Sequence, residues 1–242
     1  MFGRALTSFC LVALFSNSTN LFAASLSFVE QTRLIFNAPA LSVSFPIQNN
    51  TNQKYLVKSS ILDEKNNISA DPNNNFLVLP EITVLSPGTK RLLQVTKITS
   101  DMPTDRESVF FLNGYFVPES KSRERDDSFL NLAFSINVKM FYRPLSLVDD
   151  RAIEKASETL IFEPINGTKV SVKNPTPYHL TFGKLVVNGV ELVSDELRKM
   201  LKPYGNEIYK IAYPVKKATE IRWTLIDEYG NWTKELTVKR SN

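Results

Sequence analysis

The sequence predicts an all-β protein built from two sandwich domains and a short linker. Three observations carry that prediction. Apolar and polar residues alternate with a period of two in six successive segments of the first half, as strands with one buried face do. The alternation lapses after Pro144 in a charged stretch, then resumes in a second set of strand-like segments. Asn-, Pro- and Gly-rich turns separate these segments, and helical periodicity is nearly absent from the first half. Repeated short strands at this spacing suggest antiparallel sandwiches of immunoglobulin type. A chain of 242 residues has room for two domains of about 100 residues each.

Residues 1–24 read as a secretory signal peptide. Arg4 supplies the positive start, Ala5 to Phe15 the apolar region, and Ala23-Ala24 a small-residue cleavage site. That apolar run is too short to span a bilayer, and no later segment approaches membrane length, so the mature chain is expected to be exported and not membrane-embedded. The first domain is expected over 25–147, with strands at LSVSFPIQN (41–49), KYLVKSSIL (54–62), FLVLPEITVL (76–85), KRLLQVTKI (90–98), SVFFLNGYFV (108–117) and FLNLAFSINV (129–138). LSLVDDRAIEKASE (145–158) is charged and poorly periodic and reads as a linker with one helical turn. The second domain is expected over 152–242, from TLIFEPI, TKVSVKN, HLTFGKLVVNGVEL, NEIYKIAYPV, TEIRWTLID and WTKELTVKR. Its one helical candidate is SDELRKMLK (194–202), capped by Ser194.

The chemistry available is narrow. Without the signal, which carries one basic residue and no acid, the net charge falls from +4 to +3. Both signs are interspersed, as in SKSRERDD (120–127), so no nucleic-acid stripe is expected. The one cysteine, Cys10, lies in the signal, which removes disulfides, thiolate chemistry and cysteine metal sites from the mature chain. With a single histidine, His179, a histidine-rich zinc site cannot be assembled; a Ser-His-Asp triad through it is possible on paper, but no nucleophile-elbow sequence accompanies it, and His179 reads as a surface or packing residue. Asp149-Asp150 and Asp227-Glu228 are adjacent pairs whose side chains point to opposite faces of a strand, unlike a catalytic dyad. A non-enzymatic binding protein without cofactor or metal is the expectation.

Several segments together resemble the periplasmic chaperones of the chaperone–usher pilus pathway. They are TRLIF (32–36), YLVKSSILDE (55–64), PGTKRLLQV (87–95), PTDRESVFFLN (103–113), KMFYRP (139–144), NPTPYHLT (174–181), MLKP (200–203) and LIDEYGN (225–231). They follow the family's order and span nearly the whole mature chain. The resemblance implies two immunoglobulin-like domains set at an angle around a cleft. It also implies fimbrial subunits as partners, a strand lent to complete each subunit's fold, and delivery to an outer-membrane usher.

By the same resemblance, Arg33 and Lys139 hold the subunit's C-terminal carboxylate, a task suited to charge-assisted hydrogen bonds. Leu130, Leu132, Phe134 and Ile136, continuing to Val138, form the lent strand, since alternate side chains share one face. Strict alternation sets Lys139 on the face opposite Val138, so a bulge or strong twist is expected to turn it toward Arg33. Glu107, Arg143, Asp227 and Glu228 resemble an interdomain salt-bridge network. A row of apolar side chains beside an open edge is an aggregation hazard, so the free protein is expected to cover it by self-association or a loop.

The chain departs from the family's pattern at Lys54, where a proline is common, and at Ser60, where a tryptophan is. The modest length of VPESKSRERDDS and its lack of cysteines resemble the short-loop branch. An exported immunoglobulin-like fibre subunit or adhesin is the alternative reading, set back by the missing disulfide and donor extension.

Overall fold

The computed structural model describes residues 26–28, 32–64, 75–99, 101–119, 132–165, 168–211 and 218–241. The expected signal peptide lies outside these residues. The first domain contains β1 (Leu26–Phe28), β2 (Arg33–Asn37), β3 (Ser42–Asn49), β4 (Tyr55–Asp63), β5 (Phe76–Leu79), β6 (Ile82–Leu85), β7 (Lys90–Lys97), β8 (Ser108–Pro118) and β9 (Phe134–Arg143). One sheet runs β1-β3-β7-β5 and the other β2-β9-β8-β4-β6. All described pairings in this domain are antiparallel except that of β2 with β9.

Alternation does what the sequence implies. In β4, Tyr55, Val57 and Ile61 enter the core while Leu56 and Lys58 point outward. Aromatic rings join the two sheets: Phe76 meets Phe36 edge-on at 5.2 Å and Phe110 at 5.0 Å.

After a short 3-10 turn at Leu145–Leu147, the second domain opens with α1 (Ala152–Glu158). Its strands are β10 (Ile161–Ile165), β11 (Lys169–Lys173), β12 (Leu180–Val187), β13 (Val190–Glu191), β14 (Met200–Leu201), β15 (Asn206–Lys210), β16 (Ala218–Leu225) and β17 (Leu236–Ser241), with α2 (Ser194–Leu197) before β14. They form the sheets β10-β11-β15 and β13-β12-β16-β17, with β14 added to β12. The core gathers around Phe162, Phe182, Tyr209 and Trp223.

Four expectations need correction. The single strand expected over 76–85 is two, β5 and β6, lying in different sheets, because Pro80 has no amide to donate and breaks the ladder. The strand expected to end at Val138 runs on through KMFYR to Arg143 as part of β9. Helix 194–202 shortens to α2, with Val193 rather than Ser194 at its cap, because Met200 and Leu201 leave the helix to pair with β12. The linker's helical turn is the longer α1, whose Ile153 and Ala156 pack into the second core.

Each sandwich is also pegged by a buried Asn-x-Thr corner. The Asn49 amide donates to the Gln53 and Leu85 carbonyls at 2.7 and 3.0 Å, and its oxygen accepts from the Thr51 amide at 2.9 Å. Asn174 repeats the arrangement with the Tyr178 and Lys202 carbonyls and the Thr176 amide. This accounts for the Asn of NPTPY: it holds the loop that reaches the other domain.

Phe36 is fully buried between the two sheets. Phe36→Ala is expected to cost about 3–5 kcal/mol through lost burial and the cavity left behind, read as a lowered urea midpoint.

Candidate functional site

The site begins with a parallel pairing. Strand β2 lies beside the second half of β9, with Arg33 abreast of Lys139, Ile35 of Phe141 and Asn37 of Arg143. Leu34 and Phe36 alternate into the core, as do Val138, Met140 and Tyr142. The opposite parity therefore carries Arg33, Lys139, Phe141 and Arg143 out of the first domain's core and toward the second domain. No bulge is involved: β9 keeps an unbroken register with β8 from Phe134 to Tyr142. The expected twist toward Arg33 is unnecessary, because abreast residues of parallel strands already share a face.

Two kinds of buried cation stand on this face. Arg143 is ion-paired: Nε donates to Glu107 Oε1 at 2.8 Å and Nη1 to Glu228 Oε1 at 3.0 Å. The second oxygen of Glu107 accepts the His179 backbone N–H at 2.7 Å, and the Glu107 amide donates to the Pro177 carbonyl. Burial alone would lower the Arg143 guanidinium, but Glu107 and Glu228 outweigh it and hold it above its usual value. The Arg143 guanidinium also sits 5.2 Å from the Tyr178 ring centre, and His179 packs on Phe141 at 5.7 Å.

Arg33 and Lys139 differ from it. Arg33 is 6% exposed; its Nη1 donates to the Ile226 carbonyl at 3.0 Å, while its Nε is buried without a partner. Lys139 has one long contact, from Nζ to Thr181 Oγ1 at 3.4 Å. Among the described residues neither forms an ion pair. Burial lowers the Arg33 guanidinium, opposed at longer range by Asp227, Glu228 and Glu107. Burial, then the charge of Arg33, lowers the Lys139 ammonium to about 8.

The facing wall comes from β12 and from the turn after β16. The Asp227 carboxylate accepts the amides of Tyr229 and Asn231 at 2.9 and 2.8 Å and so closes that turn on itself. Asp227 is thus no part of the ion-pair network expected of it; Glu228, the next residue along, turns back to Arg143 instead. Gly230 adopts φ +88°, and a Cβ there would lie 2.7 Å from Thr32 Oγ1, so both conformation and contact require glycine.

Toward its start, β9 leaves its own core. Leu132 is 65% exposed, Phe134 36% and Val138 6%, with Ile136 partly buried. Phe134 stacks on Phe116 at 5.2 Å and meets Tyr55 edge-on at 5.9 Å, so it serves the first domain as well. From Phe134 to Val138 the described residues pair with β8 alone, since β2 takes only the Lys139–Arg143 half. Leu130 and the charged stretch 120–127 lie outside the described residues.

Fixed cations beside an open strand edge define a binding module built on two β-sandwiches. Residues 28–148 match the family model for the pili and flagellar-assembly chaperone PapD N-terminal domain, and residues 155–237 that for the pili assembly chaperone PapD C-terminal domain. The chain is 30% identical over 220 residues to chaperone protein FanE of Escherichia coli, covering 88% of this chain and 90% of that protein. It is 26% identical to the probable fimbrial chaperone LpfB of Escherichia coli O157:H7, covering 86% of each.

Among solved structures, the chaperone of the Salmonella enterica SafA pilin–SafB complex superposes with a TM-score of 0.74 at 24% identity, covering 91% of this chain and 98% of that one. The E. coli chaperone DraB gives 0.73 at 22%, covering 88% and 97%. The chain belongs to the pili assembly chaperone family, and its function is that of a chaperone in fimbrial assembly.

Removing one partner of the buried network should separate its members. Glu107→Ala leaves a deeply buried guanidinium short of one carboxylate and the His179 amide unpaired, a loss of about 3–5 kcal/mol. Glu228→Ala, at a carboxylate more open to water, is expected to cost distinctly less. Thermal unfolding of the two variants side by side checks the order.

Proposed function

We propose that this chain works in the periplasm, where it captures fimbrial subunits after export, completes their folds with β9 and passes them to an outer-membrane usher. Residues 1–24 direct export, and residues 25–147 and 152–242 form the two working domains. Arg33 and Lys139 hold the C-terminal carboxylate of the subunit. Leu132, Phe134 and Ile136, with Leu130 before them, enter its apolar groove. The Glu107–Arg143–Glu228 network keeps the two walls of the cleft together.

One observation carries this reading: among the described residues, a buried guanidinium and a half-buried ammonium, abreast and without ion pairs, stand at the end of a strand edge that has no second neighbour. Burying charge is costly unless an opposite charge arrives, and a terminal carboxylate supplies two acceptors to a guanidinium and an ammonium. The exposed apolar row of β9 then offers alternate side chains to a sheet that lacks a strand. The pilin-bound SafB chaperone, similar in fold over nearly its whole length, supports the same mode of use. Without a subunit, self-association at the open edge is the expected resting state.

Arg33→Ala and Lys139→Ala are expected to fold normally and to lose subunit capture, because each removes charge that the free protein does not satisfy internally. Leu132→Thr, at a side chain mostly in water, should weaken capture with little change in melting temperature. Co-purification with an expressed subunit, paired with thermal melts, tests all three. Undiminished recovery with both cation variants would overturn the carboxylate assignment.

Capture should also depend on pH. The carboxylate favours protonated Lys139, so affinity is full below about 8 and declines as pH rises through that value. Between pH 7 and pH 9 the apparent affinity should fall about tenfold. Lys139→Arg, which stays charged throughout, should flatten the profile. Isothermal titration across that range decides the point.

A further inference from the structure

The chain has two tryptophans with opposite surroundings: Trp223 is 5% exposed in the second core, and Trp232 is 63% exposed. Trp232 follows the turn that closes the cleft, and it bridges to Ile226, whose carbonyl accepts from Arg33. Its indole approaches β12 closely at Gly183. A Cβ on Gly183 would stand 2.8 Å from Trp232 Cδ1 and 3.1 Å from Thr224 Oγ1, so the close approach exists because that position has no side chain.

The pairing of β12 with β16 settles which face this is. Leu180 and Phe182 enter the core, while Thr181 touches Lys139 across the cleft. The register of β12 shifts between Phe182 and Lys184, so parity along the strand does not carry past that point. The Cβ position of Gly183 meets Thr224 Oγ1, on the side of β16 opposite the core residues Trp223 and Leu225, and the indole beside it lies on that same outward side, which Ile226 shares. The backbone and hydroxyl that meet the two free cations thus adjoin a large, solvent-facing aromatic surface.

We propose that Trp232 is the platform on which the last side chain of the captured subunit lies, so that this chain selects subunits ending in a bulky apolar residue. The inference rests on Arg33 and Lys139 holding the terminal carboxylate. A carboxylate seated there makes the last residue the one nearest the second domain. Its side chain then has the Trp232 indole within reach, beside Ile226 and above Gly183. An indole gives a large contact area for little loss of side-chain freedom, and aromatic pairs favour it further.

The test uses the full mature chain and short alternating threonine–valine peptides ending in phenylalanine or in alanine, each as free acid and as amide. The phenylalanine acid is expected to bind about tenfold tighter than the alanine acid and to shift tryptophan emission to shorter wavelength as Trp232 leaves water. Trp232→Ala should bring the phenylalanine peptide to the affinity of the alanine peptide, and Trp232→Phe should retain the preference. The emission of buried Trp223 reports that each variant is folded. Equal affinities of the two acids for the unmodified chain, with the amides weaker, would overturn the platform and leave the carboxylate site standing. Amides binding as tightly as acids would overturn both.

Discussion

The guanidinium of Arg143 is the contact on which the arrangement of this molecule turns. It belongs to the last residue of β9, yet its carboxylates come from the residue just before β8 and from the second domain. Glu107 spends one oxygen on Arg143 and the other on the backbone of His179, so three segments distant in sequence are tied at one buried point. Buried ion networks are poor sources of net stability, but a partly satisfied one is expensive, so the packing of the two domains around it is tightly specified. The cleft that results has one wall from β2 and β9 and the other from β12 and the 227–231 turn.

Three cations share this face, Arg33 and Arg143 buried and Lys139 half-buried, but the protein treats them differently. Arg143 is held above its usual pKa by two carboxylates, whereas Arg33 and Lys139 are held below theirs. The first has its counter-charge within the fold and acts as a structural joint. The other two face a backbone carbonyl and a hydroxyl, neutral acceptors that cannot offset the cost of burial. Arginine thus stands in two electrostatic settings in one cleft, distinguished by whether the chain itself supplies the anion.

Much of this was legible in the sequence because strand parity is a strict code. Alternation marked β4, β8 and β9 as strands, and KMFYRP with TRLIF pointed to the residues that come together. The same code misled where only one strand was considered. Lys139 looked misdirected beside Val138 until the parallel neighbour β2 was known to present Arg33 on that same outward face, and pairing partners are not written in a single strand. Asp227 and Glu228 could not be told apart because a turn, not a strand, sets their directions, and the turn is closed by Asp227 itself. Asn49, Asn174 and Trp232 gave no signal of their own. A buried amide peg reads like any turn asparagine, and the exposure of an indole depends on a glycine half a domain away in sequence.

The parallel pairing of β2 with β9 has a geometric consequence. β1 pairs in the opposite sheet up to Phe28, and the chain joins the β9 ladder, as β2, only at Arg33. Among the described residues, half of one edge is therefore occupied by the protein's own strand and half has no neighbour, with a guanidinium at the boundary. The second half, Phe134 to Val138, is about 17 Å of extended chain. Any strand docking there meets a dead end of fixed position, and its residues are counted from that stop rather than matched side chain by side chain. Used as proposed above, such an edge would measure a guest from its terminus, and a guest whose chain continues past its last strand would have nowhere to go.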